Sequence, residues 1–305
     1  MRALVTGGAG FIGSHLVDAL VAQGTDVLAV DDLSRGRRDQ VNAAAEFTRM
    51  DVADPRLLDL VGAHRPDVVF HLAAQIDVRR SVADPMADAQ TNVVGTVNLL
   101  QASAHHGVNR IVFASSGGAI YGDTAVIPTP ESHEQRPESP YGTAKLCGEA
   151  YGNLYRRMRG LEFIALRYAN VYGPRQDPHG EAGVIAIFAQ RLLRDEPATI
   201  NGDGLQTRDY VYVDDVVRAN LAAVSATTPD AVNIGTGVET DVNGLYERLR
   251  RICGTDAPAV HADAKPGEQR RSCLDIRHAR AALDWEPSVP LEDGLRRTVD
   301  HFRSV

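Results

Sequence analysis

Short apolar runs rich in β-branched and aromatic residues recur along the chain: ALVTG at 3–7, DVLAVDD at 26–32, DVVFHLA at 67–73, RIVFASS at 110–116 and EFIALRYANVYG at 162–173. Between them lie stretches whose apolar positions repeat at the helical spacing, HLVDALVAQG, RLLDLVGAHRP, TVNLLQASAHHG and a segment starting near Ser139, several ending in Gly or Pro as helices do. Runs apolar at consecutive positions suit strands covered on both faces. Their alternation with helix-length segments predicts an α/β fold around a doubly wound parallel sheet. After Gly173 the rhythm loosens into turn-rich pieces, PRQDPHG, NGDG and KPGE. The expected organisation is a sheet-forming domain at 1–172 and a smaller, mainly substrate-binding lobe at 173–305, with a late strand around 231–236 returning to the main sheet.

Composition narrows the partners. With 305 residues, 44% hydrophobic, the chain can bury a full core and support two lobes. The net charge is −8 and basic residues are scattered apart from RGRR at 35–38, so neither nucleic acid nor an anionic membrane surface is an expected partner. No apolar run reaches membrane-spanning length, and the opening MRALVTGG runs straight into a strand with no room for a secretory signal. Cys147, Cys253 and Cys273 lie too far apart for a metal knuckle, and their odd number argues against a disulfide framework. No metal site and a reducing, cytoplasmic setting are expected.

The first apolar run ends in TGGAGFIG, which places Gly7, Gly10 and Gly13 between a strand and a helix. Glycine there permits a tight turn, lets backbone N–H groups approach a pyrophosphate and lets the helix pack closely, while the helix N-terminus favours the anion. Such a set is common on its own. Here the second strand also ends in a carboxylate, Asp31, which would accept from the adenine ribose hydroxyls and repel a 2′-phosphate, so NAD rather than NADP is the expected cofactor. The competing reading is a helix cap followed by a solvated Asp31–Asp32 pair. Asp51 and Val52, in MDVAD, would stand at the third strand's carboxyl end where an adenine ring can be held, although Asp51 suits a helix cap equally.

PYGTAKLCGEAY puts Tyr141 and Lys145 four apart, on one face of the helix they share. A free tyrosine titrates near pH 10, so its use as a base near neutrality requires a shift of about 3 units, or roughly 4 kcal/mol. An ammonium one turn away and a positive nicotinamide would supply much of it. The alternative is that Lys145 pairs with Glu149, also four away, and Tyr141 only packs. With the glycine loop and the strand-end hydroxyl of Ser116, catalysis is the preferred reading.

The glycine loop, Asp31, Ser116, Tyr141 and Lys145 resemble the extended short-chain dehydrogenase/reductase family in order and spacing, and the resemblance covers essentially the whole chain. RYANVYGPRQ, NGDGLQTRDYVYVDD and KPGEQRRSCLDIRHARAALDW are similar to the substrate-lobe segments of its nucleotide-sugar branch, in particular the UDP-galactose (UDP-glucose) 4-epimerases. The resemblance implies a Rossmann domain whose NAD contacts fall on Gly7, Gly10, Phe11, Ile12, Gly13, Asp31, Asp32, Leu33, Ser34, Arg35, Gly36, Asp51, Val52, Leu72, Ala73, Ala74, Gln75, Asn92, Ser115, Tyr141, Lys145, Tyr168 and Ala169. It implies inversion at C4 of a UDP-hexose through a transient 4-keto sugar. Tyr141 takes the 4-hydroxyl proton, Ser116 bonds that oxygen, and Lys145 holds the nicotinamide ribose and lowers the tyrosine pKa.

The strand end SSGGAIYG then acquires a meaning. Relatives that dehydrate or decarboxylate carry acidic residues after the hydroxyl, because those reactions need a second acid or base. Here Gly117, Gly118 and Ala119 stand there, which suits moving one hydride and one proton. His71 reads as a satisfied strand-end histidine and Tyr121 as packing beneath the site.

By the same resemblance Asn170, Val184, Thr199, Ile200 and Arg208 read the nucleotide end. Arg208 is a phosphate grip, or else an ion pair with Asp209 or Asp203. Lys265 stands where the family commonly has a second arginine; it lacks the planar fork, so Arg270 or Arg271 is the substitute. Ser272 falls where a bulky residue excludes 2-acetamido sugars, which leaves room for UDP-N-acetylhexosamines, or else is a polar strand-edge residue. Helices at 95–106 and 140–158 are expected to pair two copies as a homodimer. The competing activities are another NAD-dependent epimerase or dehydrogenase of UDP- or dTDP-sugars, and a non-catalytic NAD sensor.

Overall fold

The computed structural model describes residues 1–178, 183–227, 231–264 and 269–304. Six strands come from the first part of the chain: β1 (Arg2–Thr6), β2 (Asp26–Asp31), β3 (Glu46–Arg49), β4 (Val68–His71), β5 (Arg110–Ser116) and β6 (Glu162–Tyr168). Beyond them lie β7 (Asn170–Tyr172), β8 (Ala198–Asn201), β9 (Thr207–Tyr212), β10 (Ala231–Ile234), β11 (Glu239–Asp241), β12 (Ala259–Ala262) and β13 (Arg271–Ser272). Among the described residues the main sheet has seven parallel strands in the order β10-β6-β5-β4-β1-β2-β3. The order reverses between β1 and β4, whose ends lie side by side with Thr6 opposite His71. In open parallel sheets that reversal opens a crevice at the strands' carboxyl ends.

The consecutive apolar positions are explained by two cores. Ala3, Val5, Val27, Ala29 and Phe70 point to one face, where they meet Leu16, Val17 and Leu20 of α1 (Phe11–Ala22) and Val216, Val217 and Ala219 of a later helix. Leu4, Leu28, Val30 and Val69 point to the other, against Leu57 and Val61 of α2 (Leu57–His64) and Leu99 and Leu100 of a further helix. Alternate side chains of one strand thus enter opposite cores.

Helices α3 (Val78–Ala83) and α4 (Pro85–Ala89) lead through one π-helical turn, Gln90–Val94, into α5 (Gly95–His105). The short α6 (Gly117–Tyr121) follows β5, and α7 (Pro140–Arg159) crosses back to β6. Ser139 caps α7, accepting the Gly142 N–H at 3.1 Å, and Pro140 opens it, so Tyr141 sits in the first turn. The rest comprises α8 (Val184–Leu193), α9 (Val213–Ala223), α10 (Val242–Cys253), α11 (Arg277–Leu283) and α12 (Leu291–Ser304). Helices α8, α10 and α12 close over β8 and β9 in a third core around Phe188, Ile200, Leu245, Tyr246, Leu295 and Val299.

Two details depart from the apolar pattern. The run at 162–173 is not one strand: it breaks at Ala169, whose N–H donates to Ile234 O at 2.8 Å, and β7 leaves the main sheet to pair with β9. The strand β3 carries no continuous apolar run: it stands at the edge of the sheet among the described residues, with Glu46 and Arg49 exposed and only Phe47 and Thr48 partly buried.

Beneath the carboxyl ends lies a buried ion pair. Glu149 of α7 accepts from Arg167 of β6 at 3.0 and 2.6 Å, and the Ser115 hydroxyl donates to it at 2.6 Å. Arg167 also donates to the Tyr121 hydroxyl at 2.8 Å, which donates to Asn233 of β10 at 2.9 Å. The two charged side chains are only 6% and 5% exposed. Glu149→Ala would strand the guanidinium without its partner, and urea unfolding is expected to show a loss of roughly 3–5 kcal/mol.

Candidate active site

The turn after β1 is a cradle for a dinucleotide. Gly7 has φ of 70°, and a Cβ on Gly13 would lie 2.0 Å from Gly7 O, so the first turn of α1 presses directly on the turn. Gly10 caps α1 with no side-chain bond and no acid follows in the first turn, which leaves its N–H groups free for an anion. Phe11 and Ile12 are partly buried against the cores. Asp31 ends β2 and accepts from Ala9 N at 3.0 Å and Leu33 N at 2.9 Å; Leu33 takes a left-handed φ of 62° to make that bond. Burial raises the Asp31 pKa, opposed by these two bonds. Gly36 packs on the same carboxylate, Asp32 binds Ser34 at 2.8 and 2.6 Å, and Arg35 reaches Asp77 at 3.3 Å. Asp51 is exposed and turns back to the Ala53 N–H at 2.8 Å, while Val52 is buried against Gly95.

The loop Leu72–Gln75 leaves β4 against Gly7, whose missing Cβ would fall 2.7 Å from Ala73 N. It is fastened by Asn92 in the π turn: Gln75 N donates to Asn92 Oδ1 and Asn92 Nδ2 to Gln75 O, both at 2.9 Å. His71 lies beneath, with Nδ1 2.7 Å from the Thr6 hydroxyl and Nε2 2.9 Å from that of Thr96. Because Thr96 spends its proton on Asn92 O at 2.7 Å, His71 carries its proton on Nε2. Burial and then the Lys145 charge push its pKa down to about 3. It is a neutral structural histidine.

Ser116, Tyr141 and Lys145 converge at the end of β5. The Ser116 hydroxyl stands near enough to the Tyr141 phenol to ease its ionisation. Tyr141 is half-buried as a residue, yet its phenol end is desolvated: burial pushes its pKa up to about 12, eased by Ser116 and reinforced by Asp88. Lys145 is 4% exposed, donates from Nζ to Ala114 O at 2.8 Å, and lies 5.9 Å from the Tyr141 ring centre and 5.0 Å from that of Phe113. Burial brings it down to about 8, against the pull of Asp88 and Glu149. Glu149 is committed to Arg167, so the helical pairing of Lys145 with Glu149 does not form. In the chain alone the phenol is governed by burial.

The glycines of SSGGAIYG have a steric reason as well. A Cβ on Gly117 would meet Leu274 at 2.6 Å, and one on Gly118 would touch Ser272 Oγ at 3.3 Å. A longer side chain at 117 would have to push the Leu274 side chain aside. Asp88, from the distant helix α4, brings a buried carboxylate to this site, and neither motif nor spacing in the sequence marks it.

Residues 3–235 match the model of the NAD dependent epimerase/dehydratase family. The chain belongs to that family. It is 48% identical over 311 residues to the UDP-glucose 4-epimerase of Mycolicibacterium smegmatis, covering 100% of this chain and 99% of the relative. Among solved structures it is similar to the Thermotoga maritima UDP-glucose 4-epimerase with UDP-glucose, at 50% identity and TM-score 0.98 over 100% and 99% of the two chains. The Thermus thermophilus UDP-glucose 4-epimerase complex with NAD shares 42% identity with TM-score 0.95 over 99% of each chain. NAD is the cofactor of this family member, and the cradle fits it.

Across the crevice from the family's cradle, Asn170 and Val184 line a narrow cleft with Gln176 and Tyr210. Tyr168 hydrogen-bonds Asn220 through its hydroxyl at 3.0 Å, so only its backbone and that of Ala169 face the crevice end of β6. Thr199 is exposed, whereas Ile200 is 2% exposed, its side chain in the third core and its backbone in the β8–β12 pair. Arg208 donates to Thr207 O at 2.7 Å; Asp203 is engaged by Arg270 at 2.8 and 2.9 Å, and Asp209 accepts from Thr236 N, Gly237 N and Leu274 N. Arg271 binds Glu239 through two bonds, at 2.9 and 2.5 Å. Ser272 pairs with Arg208 across β13 and β9, and beside them Gln206, Gln269 and Arg270 help line a cavity of about 310 Å³. Lys265 and the turn at 266–268 lie outside the described residues. Gly13→Ala is expected to weaken NAD binding by more than tenfold in fluorescence titration of stripped protein, with an unchanged circular dichroism spectrum, because the added carbon displaces only the phosphate turn.

Proposed function

We propose that the protein interconverts UDP-glucose and UDP-galactose by inverting C4 through a 4-keto sugar. The observation that carries this is the convergence of Ser116, the Tyr141 phenol and a buried Lys145 at the end of β5, beside glycines at 117 and 118 that offer no second acid or base. Bound NAD supplies the hydride acceptor and donor, and the positive ring charge that favours the phenolate. Tyr141 accepts the 4-hydroxyl proton as the C4 hydrogen leaves as hydride, and gives it back to the same oxygen once the 4-keto sugar has turned over, so that the hydride returns to the opposite face of C4. Ser116 holds the oxygen between them, and Lys145, anchored on Ala114 O, keeps its ammonium beside the cofactor ribose. Burial pushes the phenol up in the chain alone, so the base acts once cofactor and substrate are in place.

The substrate class extends to UDP-N-acetylhexosamines, supported by the small Ser272 beside Gly118. Tyr141→Phe is expected to lower turnover of UDP-galactose by about 10² to 10⁴ while NAD stays bound. Near-normal turnover would refute the mechanism, and accumulation of NADH by the wild type would make the protein a dehydrogenase instead. Parallel assays with UDP-N-acetylgalactosamine read the breadth of the pocket.

The same proposal includes a homodimer in the reducing cytoplasm. Val82, Met86, Val94, Tyr151 and Met158 are 40–80% exposed on α3, α4, the π turn and α7, a run of apolar side chains suited to a second copy. The three cysteines are free, and no helix among the described residues is long and apolar enough to cross a membrane. Met86→Glu is expected to shift sedimentation from dimer to monomer; unchanged sedimentation would move the interface elsewhere.

A further inference from the structure

Asp88 is a carboxylate buried to 1% exposure on α4 and takes no part in the mechanism above. One oxygen, Oδ1, accepts from Gln75 Nε2 and Asn92 Nδ2, both at 2.9 Å, and these donors are neutral amides. Its other oxygen, Oδ2, is buried and has no hydrogen-bond partner among the described residues. A carboxylate so placed keeps an unscreened field, because amides orient it without cancelling its charge. Helix α4 packs against α7, which carries Lys145 and Tyr141, so that field falls on both groups.

The other groups facing Lys145 do not supply this. Glu149, on the same helix, also pulls on Lys145, but its charge is shared with Arg167 of β6; His71 of β4 is uncharged; Tyr141 carries no charge until it acts. On the elements packed around Asp88, Arg79 and Arg80 of α3 and Asp84, which caps α4, are exposed. Lys145 is buried on Ala114 O, a neutral acceptor. Among the described residues, the buried ammonium therefore has one carboxylate near it whose charge is not already spent on a cation.

We propose that Asp88 is a positioning residue for the reaction: the counter-charge that keeps Lys145 protonated in its buried place and, with Asn92, sets the pH window in which the Tyr141–Lys145 pair works. The inference rests on the epimerase reading of the site. A negative charge in this position raises both groups' affinity for protons. Removing it lets the phenol ionise at lower pH and lets the ammonium lose its proton at lower pH, so both limbs of the pH–rate profile move the same way. A group that served only to hold α4 in place would scale the rate at every pH and leave the limbs where they are.

The test is the pH dependence of kcat for UDP-galactose with the NAD-loaded protein, comparing wild type with Asp88→Asn, which keeps an acceptor for Gln75 and Asn92. Both limbs are expected to shift toward acid by roughly one pH unit, the order of one charge acting over several ångströms at an effective dielectric of about 20. Asp88→Glu, which restores the charge, is expected to return them. An ultraviolet difference titration of the phenol, with Tyr141→Phe as blank, reads the same acid shift without turnover. Should the asparagine variant not fold, Asp88→Ser serves the comparison. Superimposable profiles, or a uniform fall in rate with unmoved limbs, would overturn the proposal; failure of the wild type to interconvert the sugars would instead remove the epimerase reading.

Discussion

The Glu149–Arg167 pair decides what Lys145 is able to do. Both acids within reach of the lysine's helix face are buried, and a buried charge takes the partner that satisfies most of its bonds. Arg167 offers Glu149 a two-pronged contact, and the Ser115 hydroxyl adds a third bond, so the carboxylate has nothing left for an ammionium one turn away. Lys145 is thereby left on a backbone carbonyl, desolvated and within reach of Tyr141. The pair also ties α7 to β5 and β6, and through Tyr121 and Asn233 to β10. The helix carrying two reactive groups and the strand carrying the third are held in one register.

Around that point the topology does the gathering. The reversal between β1 and β4 brings the glycine turn, the loop Leu72–Gln75 and the π turn together at the carboxyl ends of the strands. Asp209 performs the corresponding task for the later strands: fully buried on β9, it collects N–H groups from Thr236, Gly237 and Leu274. Leu274 in turn lies against Gly117, so the segment holding Ser272 closes directly on the catalytic strand end.

Much of the first half of the chain was legible in advance because strand and helix there obey local rules. Apolar pairs such as Ala3 and Leu4 enter opposite cores, and that two-sided burial is what a run without polar alternation reports. The turn at Gly7–Gly13 and the spacing of Tyr141 and Lys145 are likewise local, set by steric contact and by helix pitch. The break at Ala169 was not legible, since an apolar run continues through it and only the pairing of β7 with β9 shows that the strand changes sheets. Ile200 was placed on the ligand side by similarity, while its side chain serves the third core.

The sequence by itself determined the glycine cradle, the carboxylate at the end of β2, the Tyr141–Lys145 spacing and the doubly wound sheet, because each depends on residues within a few turns of one another. Only the tertiary structure decided which carboxylate faces the lysine. Glu149 lies four residues from Lys145 and is taken by an arginine eighteen residues further on, whereas Asp88 lies far away in sequence and arrives through the packing of α4 against α7. Electrostatic partnership follows distance in space and the competition for burial, and the linear chain records neither.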